Sequence, residues 1–238
     1  MSTAPPWGYR GPLPVQDIPE ELGEAFRRAM EVVAHFEGGD VDHPSDPGGK
    51  TRWGVTHHTF RAWLRSRGKP VRDVATMTPA EAAEIYYTRY WLDGLCEQVV
   101  WPAAMAHFDS LVQHGPGGRG PGGAVGAIHL LQRALGETDD GIVGPKTRSA
   151  MKAADPGLLE HLLWERLLHY WRILDNRPTL RTFSRGWRNR VSHLRLEALS
   201  EMPRRIVVPP VQLVEIRADD PRPLPLPEDA RRRVRWAA

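Results

Sequence analysis

Glu37 is followed by two glycines, and an aspartate and a threonine come soon after it. The stretch reads Phe36-Glu37-Gly38-Gly39, then Asp46-Pro47-Gly48-Gly49, Lys50-Thr51 and Gly54-Val55-Thr56. Apolar spacing upstream ends a helix at Gly38-Gly39, which puts Glu37 at its C-terminal end. The negative end of a helix dipole disfavours an ionised carboxylate there, and Phe36 adds desolvation in the same direction. A carboxylic acid kept protonated near neutral pH can donate a proton to the leaving oxygen of a glycosidic bond. The glycines leave room for a sugar chain to approach. Eight residues separate Glu37 from Asp46 and four separate Asp46 from Thr51. A loop returning after the helix end could therefore place all three around one cleft, with Asp46 and Thr51 managing the positive charge or the water at the anomeric carbon. Taken singly, an acid at a helix end is a solvated surface group and Asp46-Pro47-Gly48-Gly49 is an ordinary turn.

The elements that must position these residues follow from pattern. Asp17, with Pro19 and Glu20, predicts a helix start, and Ile18, Leu22, Phe26, Met30, Val33 and Phe36 continue it at helical spacing. A polar stretch over 40–50 leads into Thr51–Thr56, with a small hairpin expected in that region. Phe60, Trp63 and Leu64 mark a second helix. Thr78-Pro79-Ala80-Glu81 predicts a capped start for a helix that runs through Tyr86 and Tyr90 towards Gly94. Further helices are expected over about 102–114, around Ile128 and Leu131, over about 158–174 and around Val191. The breaker-rich loop 115–123 is the clearest internal boundary, and Asp140-Gly141 and Gly144-Pro145 read as turns. The predicted fold class is mainly α (α+β), a globular, non-bundle helical domain with a small β-hairpin in the 40–56 region.

The chain has 238 residues, a formal net charge of +3 and 41% apolar residues, the balance of a globular chain with a real core. This mild basicity suits an anionic envelope but lacks the clustering of a nucleic-acid binder, so no nucleic acid is expected as a partner. Cys96 is the only cysteine, which excludes an internal disulfide. The N-terminus shows no signal-peptide pattern and no stretch reaches the length of a membrane span, so neither a leader nor stable membrane insertion is expected. Nine tryptophans could serve as sugar platforms or as core residues.

The whole string around Glu37 resembles the signature of glycosyl hydrolase family 108, a group of phage and bacterial N-acetylmuramidases. Ala82-Ala83-Glu84-Ile85-Tyr86, Tyr90-Trp91 and Phe108-Asp109-Ser110 continue the likeness. His114 replaces the family's usual asparagine, and Asp40 stands where an aromatic is usual. The second half, through Leu131-Gln132, Asp140-Gly141-Ile142-Val143-Gly144-Pro145, Arg166, Tyr170, Phe183, Gly186-Trp187 and Arg190-Val191, resembles the peptidoglycan-binding region paired with that family. Together the likeness covers about residues 26 to 195. The acid, aspartate and threonine are also spaced like those of phage-type lysozymes, one residue short in the second gap. The resemblance implies a lysozyme-like helical domain with the small β-hairpin near the active site, and a lysozyme-type muramidase with Glu37 as catalytic acid. Asp46 and Thr51 are its partners by geometry and by the lysozyme analogy. Trp53, Tyr86, Tyr90 and Trp91 are the candidates for lining a sugar groove. Neither metal nor organic cofactor is implied.

The organisation expected is an irregular N-terminal arm over 1–16 and a family 108 muramidase region over 17–114. A peptidoglycan-binding-like helical region over 115–200 then shares the same core, and a Pro- and Arg-rich tail closes the chain over 201–238. Peptidoglycan is the expected partner, with a phage particle or a pore-forming holin as the means of delivery. The chain would be made in the cytoplasm and act in the periplasm or cell wall after release. The rival reading is a non-catalytic peptidoglycan-binding component of a phage-like particle. Other constellations carry less. Asp40, Asp42 and Asp46 lack the terminal bidentate glutamate of a calcium loop, and His57-His58 has no zinc-ligand spacing. Asp109 reads as a buried acid paired with an arginine or as a wall of the cleft, the structural role being preferred, and Arg166 and Arg190 as ion-pair or packing residues.

Overall fold

The computed structural model describes residues 8–9, 11–37, 40, 50–120 and 123–201. Helix α1, Glu24–Phe36, begins later than its apolar spacing suggests. Two single 3-10 turns, Val15–Asp17 and Glu20–Leu22, precede it. Gly23 then sits at φ 84 and ψ 150, a conformation that a continuing helix cannot contain. The burial pattern survives the break, because Ile18, Phe26, Met30 and Val33 all point into the core.

Strands β1, Thr51–Arg52, and β2, Val55–Thr56, form the small hairpin. Thr51 pairs with Thr56 and Arg52 with Val55. Trp53 (φ 47) and Gly54 (φ 74) both occupy the left-handed region, as the central residues of a two-residue type I′ turn require. Glycine meets that demand freely. Trp53 is held there by its surroundings: its ring is buried, Arg52 lies 4.4 Å over it, and Tyr86 donates a 2.9 Å hydrogen bond to its carbonyl.

Thr56 caps α2, His57–Ser66, by accepting from the Thr59 N–H at 3.2 Å. Helix α3, Pro79–Tyr86, starts with the expected capping box: Thr78 accepts from Glu81 N–H, and Glu81 accepts from Thr78 N–H. The helix then widens into π-helical turns over Tyr87–Leu92. Helix α4, Ala103–His114, is buried from Ala103 to Leu111 without a break. A helix enclosed on all sides is the centre of a fold, and α1, α5, α7 and α8 pack around this one. Those partners are α5, Ala127–Leu135, α7, Leu158–Asn176, and α8, Ser184–Ser200. Helix α6, Pro145–Ala153, lies where the sequence reads only turns. One continuous apolar cluster joins Leu13 near the N-terminus to Ala198 in α8. The fold is mainly α and lysozyme-like, with a single two-stranded hairpin among the described residues.

Candidate active site

Glu37 is the residue after α1, with extended backbone (φ −81, ψ 118), and its N–H closes the helix on the Val33 carbonyl. Its side chain keeps 22% of its surface exposed. The hairpin brings Gly54 against it. A methyl group added at Gly54 would lie 2.9 Å from Glu37 Oε2 and 2.4 Å from the Tyr86 hydroxyl oxygen. Acid, turn and tyrosine therefore pack together at one spot where only a glycine fits. Burial pushes the Tyr86 hydroxyl well above its ordinary pKa, and the charge of Glu37 adds to this, so Tyr86 stays a neutral phenol.

Behind Glu37 runs a chain of charges. Arg190 donates from Nη2 to Glu37 Oε1 at 3.1 Å. The same nitrogen lies 2.8 Å from Asp109 Oδ1, and Arg190 Nε donates to both Asp109 oxygens at 2.9 and 3.1 Å. Arg166 Nη2 holds Asp109 Oδ2 at 2.5 Å, and Arg166 Nε donates to the Tyr170 hydroxyl at 2.9 Å. The side chains of Asp109 and Arg166 are wholly buried. Burial alone would push the Asp109 carboxyl up; the Arg166 and Arg190 guanidiniums reverse this and hold it below the usual carboxylate range. Two cations thus face two carboxylates, the arrangement that lets buried charges persist. Asp109 is a buried acid paired with arginines, Arg166 and Arg190, whose identity as its partners, like the extension to Glu37, is not visible in the sequence.

Thr51 opens β1 on the hairpin that carries Gly54. Asp46, the third residue of the expected set, lies outside the described residues, as do Gly38, Gly39 and Asp42. Of the four aromatics expected to line a sugar groove, three are core residues. Trp53 is 0%, Tyr86 2% and Trp91 2% exposed, and Trp91 packs edge-on against Phe26 and Phe108. A ring with no open face cannot stack on a sugar, so these three are corrected to structural roles, although the Tyr86 hydroxyl reaches the site. Tyr90 is half-buried, its ring 5.6 Å from that of Tyr86. Sequence reasoning missed Gly54 as a site residue and Arg190 as a partner of Glu37. The positive φ that a short hairpin needs was a local signal for the first.

The glycosyl hydrolase 108 profile matches residues 30–115, and the profile described as a predicted peptidoglycan domain matches residues 126–192. The solved structure of Brucella abortus SagA is 32% identical, with a TM-score of 0.56, over 74% of this chain and 94% of SagA. The chain belongs to the glycosyl hydrolase 108 family. No curated protein matches it. As a family 108 member it is a glycoside hydrolase of peptidoglycan, with the cell wall as its place of action. Among the described residues no helix is long and apolar enough to cross a membrane. The two matched segments meet at the site: Glu37 and Asp109 belong to the family 108 segment, Arg166 and Arg190 to the peptidoglycan segment.

Proposed function

We propose that this chain is an N-acetylmuramidase that hydrolyses the bond between N-acetylmuramic acid and N-acetylglucosamine in peptidoglycan. The supporting observation is Glu37 itself. It is a partly exposed carboxyl at a helix end, with one oxygen held by Arg190 and the other against the turn at Gly54. In this reading Glu37 protonates the glycosidic oxygen, Asp46 with Thr51 stabilises or activates the attacking water, and Tyr90 borders the glycan. The biological setting proposed is wall lysis by a phage or phage-like particle, with delivery by the particle or through a holin pore. Co-purification with virion proteins after detergent washing supports the particle route, and recovery only in soluble lysate counts against it.

The deciding experiment is clearance of purified peptidoglycan by wild type and Glu37→Gln, with mass spectrometry of the released fragments. The expected loss in the variant is about two orders of magnitude or more, the usual scale of a general acid, with the fold intact. Fragments ending in reducing muramic acid identify the bond. Binding without cleavage by either protein would instead make the chain a non-catalytic peptidoglycan-binding component.

A further inference from the structure

We infer that Arg190 is a positioning residue for Glu37, so that the segment matched as a peptidoglycan domain completes the catalytic centre. The inference rests on the reading of Glu37 as the general acid. Arg190 is fixed from two sides. Its Nε grips both oxygens of the buried Asp109, and its guanidinium lies 4.8 Å over the Phe36 ring. Nη2 of this rigid fork, which also lies 2.8 Å from Asp109 Oδ1, donates to Glu37 Oε1. Asp109 already has a cation in Arg166, in contact at 2.5 Å. A second guanidinium is more than one buried carboxylate needs for neutrality, and Glu37 supplies the matching negative charge.

The contact divides the labour between the two oxygens of the acid. Oε1 accepts from Arg190, so the transferable proton belongs on Oε2, which faces Gly54. When that proton passes to the glycosidic oxygen, the bond from the anomeric carbon to that oxygen breaks. Water supplies the hydroxyl taken by the anomeric carbon and the proton that restores the carboxyl set. The negative charge left on Glu37 then meets a guanidinium already in place, the form of electrostatic preorganisation that needs no rearrangement during reaction. The groups that bear on this acid are Tyr86 from α3, Arg190 from α8, and behind them Asp109 from α4 and Arg166 from α7. His193, one turn after Arg190, touches Phe36 at 5.2 Å.

The test compares full-length wild type, Arg190→Gln and Arg190→Lys on soluble glycan strands across the pH range, with circular dichroism to verify folding. The expectation for Arg190→Gln is a fall in kcat of about ten- to a hundredfold, the cost of a misaligned reacting group, with little change in KM. Loss of the neighbouring cation favours the protonated acid, so the alkaline limb of the kcat profile moves to higher pH. Arg190→Lys keeps the charge without the fork, and restores the limb but only part of kcat. A wild-type limb and wild-type kcat in Arg190→Gln, with only a lowered Tm, would overturn the inference and leave a structural ion pair. If Arg190→Gln does not fold, Arg190→Lys decides: full wild-type kcat overturns the inference, partial kcat supports it. Absence of cleavage by wild type defeats the muramidase reading and this inference with it. An active wild type with dead Glu37→Gln and unchanged Arg190 variants defeats this inference alone.

Discussion

Gly54 makes the demands of the site visible at a single residue. Its φ of 74 lies where a side chain costs about 1 kcal/mol or more. A methyl there would also press on the Tyr86 hydroxyl at 2.4 Å and on Glu37 Oε2 at 2.9 Å. Tyr86 cannot withdraw without giving up its hydrogen bond to the Trp53 carbonyl. Gly54→Ala is therefore expected to lower stability by about 2 kcal/mol and to reduce hydrolysis about tenfold or more by displacing the acid. Gly136 is the control. It has a similar φ of 73 but open space around it, so Gly136→Ala should lose about 1 kcal/mol and keep its activity. Urea unfolding and peptidoglycan clearance on both variants check this, and equal activity in the two would sink the argument.

At the scale of elements, the capping box of α3 is the cleanest case of sequence setting structure. Thr78 and Glu81 satisfy each other's backbone N–H groups, and Glu81 also pairs with Arg72. Thr78→Ala removes one side of that box, and the expected loss is about 1 kcal/mol. Activity at temperatures well below unfolding should stay close to wild type. A thermal melt with a rate assay separates the two, and an unchanged melting temperature would show that Pro79 and packing alone start the helix. Apolar spacing, also local in sequence, made α2, α4, α5, α7 and α8 legible. Where signals conflict, the reading failed. The spacing from Ile18 to Phe36 is helical throughout, but Gly23 breaks the backbone. Gly144-Pro145 marks either a turn or a helix start, and α6 buries only Thr147 and Met151, too few residues for a clear stripe. Trp53 and Trp91 read equally well as core or as platform, because ring type does not encode which face is covered. Glu37 stands out as a candidate because its flanking motif is local in sequence. Its contact with Arg190 spans 153 positions and exists only because α8 packs against α1 and α4.

At the scale of the whole molecule, the shared core joining both matched segments carries a cost that depends on pH. His107 in α4 and His169 in α7 are buried in the fold, and His114 at the end of α4 is half-buried beside them. His114 packs edge-on against His169 with ring centres 4.8 Å apart. Burial lowers His107 to about 4 and His169 to about 4 from an ordinary 6.5. Burial, and then the charge of Arg166, lowers His114 to about 2. Neither His114 Nε2 nor either nitrogen of His169 finds a hydrogen-bond partner among the described residues, so nothing there rewards protonation. The sign follows directly. Below about pH 6.5 the unfolded chain takes up protons that the folded chain refuses, so stability falls as pH falls from 6.5 towards 4. A shift from 6.5 to about 4, as for His107, corresponds to about 3 kcal/mol once fully expressed. Three such groups would take a large share of the roughly 5–15 kcal/mol that holds a domain together. Asp109 does not add to the loss in this window, because its carboxyl is held below the usual range and gives up its stabilisation only at lower pH. The unfolding free energy is thus expected to drop steeply between pH 6.5 and 4.5, with a slope of two to three protons taken up on unfolding near pH 5, an order-of-magnitude count. His114→Asn should reduce that slope by about one proton. Denaturant unfolding at half-unit pH steps on both proteins measures it. A flat wild-type curve across the window would mean that these histidines accept protons in the folded chain, and that the core opens to water where α4 meets α7.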